Sequence, residues 1–180
     1  MTPRPLKALV VYESMFGNTE QVARAITTGL SKYLEVELTE VTHAPAAITG
    51  HLDLIVVGGP THAFSMTRPS TREDAVKQGA THDTETGIRE WLEHLPPGHH
   101  SEVVATFDTR IDKVRHLPGS AAKGAAKSAH KHGYASAAKA ASFYVEDVNG
   151  PLLDGELDRA QRWGEDLGAG VKERAGHASP

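Results

Sequence analysis

Apolar positions along this chain switch repeatedly between two spacings, and the switching predicts strands and helices in turn. Leu6 to Tyr12 is an apolar run bounded by polar residues. Asp53-Leu54-Ile55-Val56-Val57-Gly58-Gly59 holds four consecutive apolar residues, the mark of a strand covered on both faces. Glu35 to Val41 alternates charged and apolar residues, which suits a strand near a sheet edge, and Glu102 to Phe107 and Ser142 to Val148 complete a set of five. Between them Val22, Ala25, Ile26, Gly29, Leu30 and Tyr33 recur at helical spacing. Ile88, Trp91, Leu92 and Leu95 stripe a helix over Gly87 to Leu95, with Trp91 as a core anchor and Pro96-Pro97-Gly98 as its stop. Ser120 to His132 reads as an alanine- and lysine-rich helix closed by Gly133. A last helix from Asp154 carries Leu157, Ala160, Gly164, Leu167 and Val171 on one side, and Arg174 to Pro180 is expected to fray.

Strands alternating with helices predict an α/β fold: one domain over residues 1–180, a three-layer sandwich around a five-stranded parallel sheet. Of the two strand orders worth considering, 2-1-3-4-5 places a ligand where the first and third strands diverge. The third strand is expected to stop at Gly59-Pro60-Thr61-His62, because proline brings no N–H to a ladder. The fourth is expected to give way to a loop at Asp108-Thr109-Arg110. Ala63 to Thr86 is polar and has no periodic core face, so it is expected to be functional, partly disordered, or a short helix near Ser70 to Gln78.

Ser14-Met15-Phe16-Gly17-Asn18-Thr19 joins the first strand to the first helix. Amides at a helix start have no intrahelical partner and the macrodipole is positive there, so the loop can hold an anion. Ser14 and Thr19 add hydroxyls, Asn18 an amide, and Gly17 allows close backbone approach. No Lys or Arg lies between Tyr12 and Arg24, and the phosphate-loop pattern of nucleoside triphosphatases is missing. The expected ligand is a monophosphate held by neutral donors; the alternative is an ordinary strand-to-helix turn.

Composition narrows the partners. The chain has 180 residues, no cysteine and a formal net charge of −4. Thiol catalysis, thiolate metal sites and disulfides are excluded, and a cytoplasmic location is expected. No apolar run reaches the length of a membrane span and Met1 to Pro5 is too short for a signal peptide, so no membrane partner is expected. Nucleic acid is not expected either, with Lys113, Arg115, Lys123, Lys127 and Lys131 read as a solvated helix face. His99-His100 and His130-x-His132 lack a convincing third ligand, so no metal is expected. Gly119-Ser120 reads as a capped helix start.

With these loops in view the chain resembles the flavodoxin family over nearly its whole length. The resemblance rests on Ser14 to Glu20 as a phosphate loop, Gly58-Gly59-Pro60-Thr61-His62 as a second loop, and Thr106-Phe107-Asp108-Thr109-Arg110 as a third. It implies one noncovalent FMN, its phosphate at the first loop and its ring between the second and third. Pro60, Thr61 and Ala63 would face the ring through main-chain atoms, His62, Phe64 and Phe107 would supply planar surfaces, and Asp108, Thr109 and Arg110 would meet the pyrimidine edge. Phe16 stands where many flavodoxins carry a hydroxyl, which leaves the phosphate more dependent on backbone donors. Arg68, Arg72 and Arg110 near the ring imply a less negative potential for the final reduction step than in acidic members. The implied role is an electron carrier with redox partner proteins; an FMN-dependent NAD(P)H:quinone-type oxidoreductase and a cofactor-free binding module are the alternatives.

Overall fold

The computed structural model describes residues 2–81 and 85–178. Its strands are β1 (Lys7–Tyr12), β2 (Glu35–Glu40), β3 (Leu54–His62), β4 (Ser65–Met66), β5 (Val103–Ile111), β6 (Ala135–Ser136) and β7 (Ala141–Val145). The α-helices are α1 (Asn18–Leu30), α2 (Pro69–Lys77), α3 (Ile88–Glu93), α4 (Ala121–Lys131) and α5 (Glu156–Ala178). β2, β1, β3 and β5 lie side by side in parallel, and the next position is shared by two short parallel strands. β6 pairs Val103 and Val104 at the start of β5, and β7 pairs Phe107 to Ile111 at its end. Leaving out the short antiparallel β4 and counting the split strand once gives the expected order 2-1-3-4-5.

Helices cover both faces, as the doubly apolar central strands require. Val10, Leu54, Val56 and Ala105 meet Val22, Ile26 and Leu30 of α1 and Ala160 and Leu167 of α5. Leu9, Val11, Ile55 and Val57 meet Ile88, Trp91 and Leu92 of α3 and Ala121, Ala125 and Ala129 of α4. Trp91 is the expected anchor, 6% exposed, and its indole N–H donates to the Pro45 carbonyl at 3.0 Å. The short helix expected near Ser70 to Gln78 is α2.

The structure corrects several boundaries. β3 does not stop at Gly59 but runs to His62 and turns back into β4, pairing Thr61 with Met66 and His62 with Ser65. Pro60 is tolerated because β1 pairs no further than Gly58, so beyond it β3 has a sheet neighbour on one side only. The turn uses Ala63 at φ 49° and Phe64 at φ 61°, left-handed positions that two-residue hairpins normally fill with Asn or Gly. β5 continues through Asp108, Thr109 and Arg110 rather than ending in a loop. α5 is helical to Ala178, through the residues expected to fray, while Ser179 and Pro180 lie outside the described residues. Within the Ala63 to Thr86 segment His82, Asp83 and Thr84 also lie outside them, as does Met1.

Candidate functional site

The C-terminal ends of β1, β3 and β5 open onto one crevice. Met15, Phe16, Asn18 and Thr19 line it from the first loop, Pro60, Thr61, His62 and Ala63 from the β3 hairpin, and Thr109 and Arg110 from β5. The cavity is open to solvent, so its volume of about 290 Å³ bounds only the enclosed part of a ligand. Two distant turns that the sequence reading paired are therefore neighbours. The first loop is tied down by the Glu13 N–H, which donates to the Gly58 carbonyl at 2.9 Å, and by the Gly17 N–H, which donates to Ser14 Oγ at 3.1 Å.

α1 and α4 both start at this edge, and they treat their orphan amides oppositely. In α4 the Ala121 N–H donates to Thr61 Oγ1 at 2.9 Å, Ala122 to Asp108 Oδ2 at 2.9 Å and Lys123 to Ser120 Oγ at 3.3 Å. In α1 the N-cap is Gly17, at φ 91° and with no side-chain cap. A Cβ on Gly17 would meet no atom within 4 Å. The start of α1 is thus left open to an incoming acceptor, while that of α4 is filled by the protein's own oxygens.

Not every anticipated residue faces the crevice. Phe107 is fully buried among Phe143 and Trp163, edge-to-face at 6.4 and 6.3 Å, and its ring fills the space a Gly58 side chain would need. It is a core residue, not a surface for stacking. Asp108 is also fully buried, with its carboxylate committed to the start of α4. Burial pushes that carboxyl up, against the opposing pull of the Ala122 amide and the hydroxyls of Ser142, Ser120 and Thr61. Phe64 is 46% exposed at the hairpin tip and does not line the cavity. Ser14 and Gly17 border a second depression, shared with Glu20 and Glu40, on the other side of the first loop. Met15 and Phe16 pack against Ala75 and Ala80, which explains an aromatic where a hydroxyl was looked for: Phe16 pegs α2 to the loop.

The remaining lining residues have definite states. Burial, and after it the Arg72 charge, holds the His62 imidazole below its ordinary 6.5, so a neutral ring faces the crevice at pH 7. Thr19 and Thr109 share a buried hydrogen bond of 2.7 Å between their hydroxyls, joining the first loop to β5. Arg110 is 6% exposed; its Nη2 donates to the carbonyls of Val114 and Leu117 at 3.2 and 3.1 Å, and its Nε has no partner among the described residues. Arg72, expected near the ring, is fully buried and turned away from the cavity. Its guanidinium meets Glu90 at 2.6 and 3.2 Å and Thr67 Oγ1 at 2.8 Å, and Thr67 donates to Glu13 at 2.5 Å. Arg68 is exposed and does not line the cavity, so among the three arginines only Arg110 does.

Sequence reasoning missed one wall altogether. Thr71, Asp74, Ala75 and Gln78 of α2 line the crevice, and their spacing of three and four was a legible helical face without an apolar stripe to announce it. Ile111, Val145 and Val148 close the other side. Among the described residues no group of three or more His, Asp or Glu could hold a metal, and no helix is long and apolar enough to cross a membrane.

No protein-family model and no curated protein matches the chain by sequence. Solved structures match it in shape. A flavodoxin from the domain Archaea aligns with a TM-score of 0.60 at 20% identity, covering 93% of this chain and 99% of that one. Oxidised flavodoxin 1 from Bacillus cereus aligns at 0.61 and 17% identity, covering 89% and 96%. A flavodoxin WrbA-like protein from Agrobacterium tumefaciens aligns at 0.58 and 16% identity, covering 93% and 98%. Strand order, a crevice at the C-terminal sheet edge and end-to-end likeness to these structures agree: the chain has the flavodoxin fold.

Proposed function

We propose that this chain binds FMN and serves as an electron carrier between redox partner proteins. The observation that carries the reading is the contrast between the two helix starts: α4 is capped by side chains, whereas α1 offers open amides beside a crevice with apolar walls. The donor set fits the group. Amides after Gly17 and the Asn18 side chain would meet the phosphate; Pro60, Thr61, His62 and Ala63 would lie along the ring; Thr109 and the unpaired Nε of Arg110 would meet a polar edge. Bound there, a flavin would supply one- and two-electron chemistry that no side chain of a cysteine-free protein supplies. The solved structures that share its fold include flavodoxins, which supports the same reading.

The deciding experiment is an absorption spectrum and a fluorescence titration with added FMN. Saturable quenching supports the reading; failure to bind leaves a binding module without this cofactor. A second reading, an FMN-dependent NAD(P)H:quinone-type oxidoreductase, is favoured by the polar α2 face of Thr71, Asp74 and Gln78, which a second small substrate could use. Steady quinone-dependent NADH or NADPH oxidation by the loaded protein would select it.

Two variants probe the geometry. Thr19→Ala removes one hydroxyl of the buried Thr19–Thr109 pair and is expected to weaken FMN by about 1 kcal/mol, roughly fivefold in Kd. Arg110 is a buried cation beside the proposed ring, and a positive charge there favours the more negative, reduced state. Arg110→Gln is therefore expected to make the potential of the final reduction step more negative in spectroelectrochemical titration; an unchanged potential would place Arg110 out of electrostatic reach of the ring.

A further inference from the structure

Charge is distributed very unevenly along this chain. Between Ile111 and Ser142 six Lys and Arg stand against one carboxylate, a surplus of five positive charges, while the whole chain carries −4 and the remainder therefore −9. Lys123, Lys127 and Lys131 recur every four residues on α4 and are all exposed, opposite the buried Ala121, Ala122, Ala125 and Ala129. Elsewhere the molecule pairs neighbouring helix charges: Glu20 with Arg24, Asp74 with Lys77, Asp112 with Arg115 and Glu156 with Arg159. α4 contains no carboxylate, and among the described residues Lys113, Lys123, Lys127 and Lys131 make no ion pair. Like charges four apart on a helix destabilise it, so this face carries a stability cost that the neighbouring helices avoid.

The stripe begins beside the crevice. The first two amides of α4 are held by Thr61 and Asp108, and Gly119 lies so close beneath the hairpin tip that a Cβ there would stand 2.6 Å from the Phe64 carbonyl oxygen. Phe64 and Leu117, 46% and 48% exposed, add an apolar pair at that end. The sheet edge formed by β2 is acidic instead: it carries Glu35, Glu37 and Glu40 and no Lys or Arg. Positive charge is thus concentrated on α4 and the segment before it, next to the crevice.

We propose that the outward face of α4, with Phe64 and Leu117 beside it, is a docking surface for an acidic protein. Apolar side chains flanked by unpaired charges are the anatomy of a protein interface, and the concentrated positive charge steers an acidic partner onto that face before contact. An extended polyanion is a poorer occupant. Three lysines over nine helix residues span about 12 Å, too few contacts for phosphate-backbone binding, α4 has no Phe, Tyr or Trp for base stacking, and the −9 on the rest of the chain repels a nucleic acid or an anionic membrane. The surface stands on charge and exposure alone; that docking there delivers electrons to the crevice rests on the flavin reading.

The test uses the full chain, with and without FMN, and an acidic [2Fe–2S] ferredoxin as probe, followed by backbone amide shifts in two-dimensional NMR. Saturable shifts centred on α4 and the 112–119 loop are expected, with affinity falling about tenfold or more as salt rises through the physiological range. Lys123→Gln/Lys127→Gln/Lys131→Gln is expected to lose binding at least tenfold while melting no lower than the parent, because it removes like-charge pairs and no packing. Shifts centred on β2, unchanged affinity in the triple variant, no saturable binding, or tighter binding of duplex DNA or phosphatidylserine vesicles than of the ferredoxin would each overturn the proposal. Docking that persists without FMN, in a chain that binds no FMN, would retain the surface and remove the flavin reading instead.

Discussion

Gly17→Val is expected to raise the Kd for FMN at least a hundredfold and to leave the domain folded. Gly17 sits at φ 91°, where a β-branched residue is a genuine outlier, and the left-handed conformation costs an L-residue roughly 1–2 kcal/mol. The protein itself does not crowd the position, since a Cβ there would meet nothing within 4 Å. The penalty is thus confined to the local backbone, well below a typical domain stability of about 5–15 kcal/mol. Relief comes most cheaply by rotating the loop, and rotation re-aims the amides of Asn18 and Thr19 that the proposed phosphate needs. Gly17→Ala should show a weaker form of the same effect. Fluorescence titration beside a thermal melt separates the outcomes: a normal melt with lost affinity fits an anion cradle, whereas normal affinity would mean that the start of α1 holds no ligand.

The fold was legible wherever hydrophobic burial alone decides the structure. Leu54 to Val57 are all fully buried, and Ile88, Trp91, Leu92 and Leu95 are at most 6% exposed, as their spacing required. What escaped the sequence lies where polar residues are buried by bonding at a distance. Asp108 and Arg110 read as the start of a loop because strands seldom bury such residues, but each finds a partner on the segments that follow β5: Asp108 on the Ala122 amide, Arg110 on the carbonyls of Val114 and Leu117. The β3–β4 turn gave no signal because Ala63 and Phe64 occupy conformations that Gly and Asn usually mark. The pairing of first loop and β3 hairpin could be read, since both sit at ends of parallel strands. Phe107 could not be placed, because strand packing and ligand stacking ask for the same residue; the absence of a side chain at Gly58, its partner across β3 and β5, was the missing clue.

The costliest single change should be Arg72→Ala, at about 3–5 kcal/mol of unfolding free energy in urea, because it takes the cation out of a buried charge cluster. Glu13 is fully buried, accepting from Thr67 and from the Ile88 amide at 2.9 Å, and Glu90 accepts from the Gly87 amide at 3.0 Å. Both carboxylates would stay in place without the positive charge between them. Arg72→Lys should restore little, since one ammonium cannot reach Thr67, the Glu85 carbonyl and both Glu90 oxygens from a single position. Acid should narrow the gap between parent and variant. Burial opposes ionisation of Glu90, but the bond and charge of Arg72 outweigh it and hold the carboxyl below its ordinary 4.5. Such a group contributes its full stability above pH 4.5 and loses it as pH falls through the depressed folded value, where the parent forfeits what the variant already lacks. The same cluster fixes α2 against the first loop, so the variant should also bind FMN more weakly, through Asp74, Ala75 and Gln78 shifting away from the crevice. A loss under 1 kcal/mol in urea, flat with pH, would show that α2 is held by the apolar contacts of Met15 and Phe16 rather than by this ionic cluster.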